Sequence, residues 1–304
     1  MLGVSTSWKS TELNNGEALF NSIQRLNVAE VELEYRVTDL MFHQMRDLIK
    51  KSDVRVVSIH NYFPVPPVVE RSMAGGDLFH LSSPDRDERT QAIKWSLRTI
   101  ECANDLEAGA VVMHCGRVEM EPELDTLYQF LEKDRIDSDE ARDFISRKIS
   151  EREQKKGKFL DALMFGLEPL IKAAEAYGVL LGLENRYFYH ELPAPDDFEM
   201  LFIEFSGAPL RYWHDVGHAQ VNETLSFVTQ EALLKRYADH LIGVHYHDVK
   251  GREDHLPPGQ GTVDFTAIKP HLKENTIGIL ELKPGTPDRD VAQGLEVLRD
   301  QGIG

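Results

Sequence analysis

Residues 241–247 read LIGVHYH, an apolar run that closes on two histidines. A run this short, with polar stretches on either side, reads as a buried parallel strand. Side chains on a strand alternate between its faces, so His245 and His247 share one side. Seven further runs are of the same kind: LGVST (2–6), VAEVELE (28–34), VRVVSIH (54–60), AVVMH (110–114), VLLGLE (179–184), LRYWHD (210–215) and IGILEL (277–282). Most are followed by an amphipathic helical pattern.

Eight strand–helix alternations predict an α/β fold, a (β/α)₈ TIM barrel of about 250 residues plus insertions. A single domain over 1–304 is expected. A doubly wound sheet is the runner-up. It loses because residues 5–16, STSWKSTELNNG, carry no glycine-rich phosphate fingerprint after the first strand. Ser83-Pro84 reads as an N-cap and first-turn proline for a helix running toward Gly109, and Thr286-Pro287 repeats the device. Gly178 reads as a helix stop. The surplus length falls after strand 3, in 61–86 with Pro64, Pro66, Pro67, Gly75 and Gly76, and after strand 4, in the charged, helical 117–157. Both follow strand C-termini, where barrel active sites lie, so both are candidate lids or walls. For 135–157 a solvated helix or a contact in a homo-oligomer is equally open.

Composition narrows the function. The chain is 41% hydrophobic and 28% charged, which disfavours disorder. Acids outnumber bases 51 to 34, a net charge of −17. Nucleic-acid binding draws on Lys and Arg against phosphates, so nucleic acid is not an expected partner; a small neutral or metal-chelated molecule is. No stretch approaches the roughly 18 apolar residues of a spanning helix, so no membrane partner is expected. MLGVSTSWKS lacks the pattern of a signal peptide. Two cysteines, Cys102 and Cys115, make no disulfide framework and match no zinc motif. A cytoplasmic location is expected.

The strand ends carry the chemistry. Strand 3 ends in His60, strand 4 in His114, strand 5 in Glu184, strand 6 in Asp215, strand 7 in His245 and His247, and strand 8 in Glu281. One histidine at a strand end is usually a hydrogen-bonded polar residue. A carboxylate in an apolar strand is harder to excuse, because burying it unpaired costs several kcal/mol. Six coincidences at one end of one fold favour a metal site. Carboxylates and imidazoles without thiolates suit Mn²⁺, Mg²⁺, Co²⁺ or Zn²⁺, and the histidine content tilts toward Zn²⁺ or Mn²⁺. No organic cofactor is expected.

SIHNY around His60, LSSPDRDER, VVMHCG around His114, GLEN around Glu184, HDVGH, HYHD, PPGQGTVDF and LEL around Glu281 together resemble the xylose-isomerase-like TIM-barrel superfamily. It contains sugar isomerases and epimerases, inosose dehydratases and the endonuclease IV family (AP endonuclease family 2). The resemblance covers nearly the whole chain. In its epimerase branch it implies metal ligands at Glu184, Asp215, His245 and Glu281. Glu184 and Glu281 would double as proton-transfer groups, with the metal stabilising an enediolate. His60, His114, His218, Arg252, His255 and Lys283 would face a carbohydrate-like substrate. The endonuclease IV branch implies instead a three-zinc phosphodiesterase site from His60, His114, Glu184, Asp215, His218, His245, Glu253, His255 and Glu281, although that branch has Asp at the position of Glu253. The acidic charge and HNYFPVPP after strand 3 count against it.

Lesser candidates are weighed singly. Gly259-Gln260-Gly261 reads as a structural turn before a phosphate cradle. Trp8, Phe63 and Trp213 suit a sugar face or the core equally. Lys283 can touch substrate or pair with an acid; Glu34 suits a substrate contact or a salt bridge. Cys115 reads as structural.

Overall fold

The computed structural model describes residues 2–304. Eight parallel strands close into a barrel: β1 (Leu2–Ser5), β2 (Glu30–Leu33), β3 (Arg55–His60), β4 (Ala110–Met113), β5 (Leu180–Glu184), β6 (Leu210–Asp215), β7 (Leu241–Tyr246) and, as the eighth, β10 (Ile277–Leu280). Their order around the barrel is β1-β10-β7-β6-β5-β4-β3-β2. Between β7 and β10 lies an antiparallel hairpin of β8 (Asp248–Lys250) and β9 (Glu253–Leu256). All eight expected strands are present, and the fold is the (β/α)₈ barrel. The strands are almost entirely buried, as helices outside and side chains inside require.

Capping explains where the helices begin. Asn15, Thr38, Ser138 and Thr229 each accept a backbone N–H from the first turn of the helix they precede. The helix after β3 differs from the expectation. It runs Arg86–Asp105 and is capped by Asp85, whose carboxylate accepts from Asp87 and Glu88; Ser83 bonds Glu88 instead. The last helix, Asp288–Asp300, starts after Pro287, and the Thr286 hydroxyl donates to the Lys283 carbonyl. Gly178, at φ 70°, ends Gly157–Tyr177 as read.

The insertion after β4 folds as two helices, Leu124–Glu132 and Asp139–Lys155. It is a wall. Leu127, Tyr128, Phe144 and Ile145 pack on Tyr189, Val221 and Val249, from the connections after β5 and β6 and the hairpin after β7. Two of its cations are buried: Lys148 bonds Glu151 and the Glu121 carbonyl, and Arg152 bonds Asp197 at 2.5 Å. The solvated-helix reading is thus corrected for this face.

Trp8, Phe63 and Trp213 are all fully buried, which resolves them as core. Trp213 packs in the barrel with Ala110, Val112 and Ile279, its ring 5.0 Å from that of His245. Space for the indole comes from glycines on both neighbouring strands. A Cβ on Gly243 would lie 2.2 Å from the Trp213 ring, and one on Gly182 at 2.9 Å. The floor of the site therefore depends on two missing side chains. Gly243→Val is expected to cost about 1–3 kcal/mol by overpacking, read as a lower urea midpoint. An unchanged midpoint would contradict this packing.

Candidate metal centre

Strand alternation decides which residues look into the barrel. On β6 Trp213 and Asp215 share one face while Tyr212 and His214 take the other; on β7 the inward set is Gly243, His245 and His247. Register then brings ligands side by side, with Asp215 opposite His245 and Glu184 opposite Trp213. Glu281 follows directly on β10.

The centre is the Nδ1 atom of His245. Glu281 Oε2 is 3.2 Å from it, Glu184 Oε1 3.4 Å and Asp215 Oδ2 3.7 Å. All four side chains are at most 6% exposed. Three carboxylates this close and this dry repel one another unless a cation sits among them. Glu184, Asp215 and His245 lie within metal-binding reach of one another and fit a divalent ion, and Glu281 adjoins them through His245 Nδ1.

Five histidines face this region, and their hydrogen bonds fix which nitrogen is free. His60 Nδ1 bonds the Asn61 carbonyl, His114 Nδ1 the Asp77 carboxylate, and His218 Nδ1 the Asn185 carbonyl. His255 Nδ1 pairs with Asp254. His245 is held from the other nitrogen, Nε2, by Glu32 at 3.1 Å, and Ser58 donates to Glu32 in turn. Each keeps one nitrogen uncommitted to these anchors, as metal-site histidines do. His247 differs. Its Nδ1 accepts the His255 backbone N–H, so its proton sits on Nε2 and is donated to Asp215. It orients the Asp215 carboxylate and has no free lone pair. His255 itself adopts φ 52°, a left-handed conformation of the kind that gathers at functional sites.

Donors form three further metal-sized groups beyond Glu184, Asp215 and His245. They are His60, His114 and Glu184; Glu32, His245 and Glu281; and Asp215, His218 and His255, with the committed His247 beside them. Electrostatics follow from this crowding. Burial raises the Glu184 carboxyl, but His114, His245 and His60 outweigh it and hold it well below its usual range. Burial and Arg186 lower His114, yet Asp77 and Glu184 raise it to about 9. Burial opposes a charge on His245, and Glu281, Glu32 and Glu184 override it and raise its pKa well above the usual value. A proton on His245 and a metal ion are alternative ways to neutralise the same carboxylates.

One side of the mouth is covered. Gly76, in the 61–86 connection, lies against the site so closely that a Cβ would fall 2.6 Å from His114 Nδ1 and 2.9 Å from His60 Cε1. On the other side a cavity of about 510 Å³ reaches Glu281 and His255, with Tyr35, Arg36, Arg252 and Lys283 on its walls.

His60, His114, His218 and His255 come together around the four central residues. Arg252 and Lys283 do not reach that centre. Arg252 stacks on Tyr128 at 3.9 Å and is half exposed at the cavity rim; Lys283 pairs with Glu253. Glu253, the ninth ligand implied by the endonuclease IV pattern, is 58% exposed and stays outside. Its neighbour Asp254 turns inward to His255 instead. Glu34 bonds Arg36 at 2.9 Å and is a salt bridge. The 259–261 turn is structural: Gly259 and Gly261 donate to the buried Asp248. Cys115 is buried. The sequence reading missed Glu32, Asp77 and Arg186. Glu32 carries the same signal as Glu281, a carboxylate within an apolar strand. Arg186 is two residues from Glu184. Asp77 lies in a connection without periodicity and leaves no signal.

A family model described as xylose isomerase-like TIM barrel matches residues 20–301. An uncharacterized protein of Methanocaldococcus jannaschii is 27% identical over 146 residues, 46% of this chain and 48% of that protein. The chain thus matches about half the length of this curated relative. Among solved structures, a D-tagatose 3-epimerase-like protein aligns with a TM-score of 0.65 at 20% identity, over 99% of this chain and 96% of its own. The apo 3-keto-D-glucoside 4-epimerase of E. coli aligns with a TM-score of 0.69 at 13% identity, over 98% of each chain. At these identities the likeness is one of fold. No helix among the described residues is long and apolar enough to cross a membrane.

Two outcomes follow for metal binding. Glu32→Gln is expected to weaken it about 10–100-fold through loss of the His245 anchor, measured by titrating metal into the metal-free protein; unchanged affinity would refute the anchoring role. The surrounding carboxylates raise the His245 pKa well above its usual value, so metal loading is expected to displace a proton and acidify weakly buffered solution. Loading without acidification would argue against His245 as a ligand.

Proposed function

The chain belongs to the xylose isomerase-like TIM barrel family, and we propose that it is a divalent-metal-dependent isomerase or epimerase of a sugar, polyol or similar hydroxy-carbonyl compound. The observation that carries this reading is the convergence of Glu184, Asp215 and Glu281 on His245 Nδ1 beneath an open cavity.

A bound divalent cation would hold the substrate's carbonyl and hydroxyl oxygens and withdraw charge from the carbon that loses its proton. Glu184, Asp215, His245 and Glu281 are the residues that would hold it, with Mn²⁺ or Zn²⁺ favoured by the imidazoles and Mg²⁺ or Co²⁺ also compatible. Glu184 takes the proton α to the carbonyl, and Glu281 returns one to the opposite face or the neighbouring carbon. Burial raises both carboxyls, and the surrounding histidines outweigh it and hold both well below their usual range, so each is ionised and able to accept a proton. His218 and His255 face the substrate on the open side, and His60 and His114 line the covered side. Arg252 and Lys283, at the rim, contact parts of the substrate remote from the reaction. Dehydration of a related polyol shares the first proton transfer and is the neighbouring reaction.

One observation favours a second reading. The donor groups share Glu184 and Asp215, which suits adjacent ions and hence a three-zinc phosphodiesterase. One fact weakens its third position: Glu253, the ninth residue of that pattern, lies on the surface.

The metal-loaded protein is expected to wash solvent deuterium into the α-position of at least one member of a ketose and inosose panel. Glu184→Gln is expected to slow this about 10²–10⁴-fold. Exchange at the wild-type rate in that variant would remove Glu184 as the base.

A further inference from the structure

Arg186 is the one buried cation at the site that the proton-transfer scheme leaves unused. It lies two residues after Glu184 on the inward side of the strand end, with its side chain 5% exposed. Its Nη2 group is committed, to Asp77 at 2.7 Å and Glu191 at 3.1 Å. Its Nε and Nη1 groups are buried and have no hydrogen-bond partner. Leaving such donors unpaired is costly, more so for a charged group. A void of about 20 Å³ lined in part by Arg186 has room for one water, fewer than the two open groups. Nη1 lies 3.9 Å from Glu184 Oε2, close enough for attraction and too far for a hydrogen bond.

The charge of Arg186 is already balanced by Asp77 and Glu191. A second full anion beside Glu184 would therefore be repelled. What suits the open donor is an oxygen that is neutral when the substrate binds and gains negative charge as the reaction proceeds.

We propose that Arg186 is a catalytic residue whose Nη1 group donates to the substrate oxygen that becomes negative when Glu184 removes the α-proton. This rests on the isomerase reading of the site. The donor is fixed in place before substrate arrives, because Nη2 is clamped by two carboxylates, and a preorganised donor of this kind gives up little on binding. The same clamp runs on through Asp77 to His114, so a purely positioning role must be told apart from direct contact.

Glycolohydroxamate, a planar mimic of an enediolate, separates these roles by calorimetry on the metal-loaded protein, with metal content measured alongside. Arg186→Met is expected to weaken its binding about tenfold or more with metal content unchanged; Arg186→Lys is expected to recover part of the loss, and Asp77→Asn to lose less than Arg186→Met. Binding to Arg186→Met as tight as to the wild type would overturn the proposal. So would an equal loss in Asp77→Asn, a drop in metal content with Arg186→Met, or no binding to the wild type. Turnover plays no part in this readout. Wild-type protein that binds the hydroxamate through Arg186 yet exchanges no sugar proton would sink the isomerase reading and leave the Arg186 contact standing.

Discussion

Three carboxylates buried around a single imidazole nitrogen are the constraint on which the rest of this molecule turns. Glu184, Asp215 and Glu281 sit within 3.2 to 3.7 Å of His245 Nδ1 and out of water. Such a cluster persists only with positive charge at its middle. Around it are the features that serve this need. Glu32 and Asp77 turn histidine lone pairs inward, Asn61 and Asn185 do the same through their carbonyls, and His247 aims the Asp215 carboxylate.

The barrel makes the cluster possible because each of its residues comes from the end of a different strand. Below the ligands Trp213 fills the interior, and Gly182 and Gly243 make room for it. Above them the 61–86 connection presses Gly76 against His60 and His114 and brings Asp77 to Arg186. The covered side is where charge is held rigidly. The other side, toward Glu281 and His255, opens into the cavity. The insertion of 124–155 walls the mouth through apolar contacts and buried ion pairs.

Much of this was legible in the sequence, for a physical reason. Strands in such a barrel are buried on both faces, so each appears as a short apolar run, and a carboxylate or histidine within one has nowhere to hide. That logic reached the four central residues and also applied to Glu32, where it was not used. It failed where position depends on loops. In GREDH the sequence offers two adjacent acids, and only the register of the β8–β9 hairpin and the left-handed turn at His255 decide that Asp254 faces in and Glu253 out. Asp77 is brought to His114 by a connection with no periodic pattern. Helix starts moved for a smaller reason: Asp85 competes with Ser83 for the same first-turn amides and, as the stronger acceptor nearer the helix, takes them.

The most direct measurement is anomalous diffraction from crystals of the protein soaked in Mn²⁺ or Zn²⁺. The expected result is a peak bounded by the carboxylate oxygens of Glu184, Asp215 and Glu281 and by His245 Nδ1. An empty centre at saturating metal, with ions bound only elsewhere, would show that the carboxylates are neutralised by a protonated His245 and would contradict the metal centre.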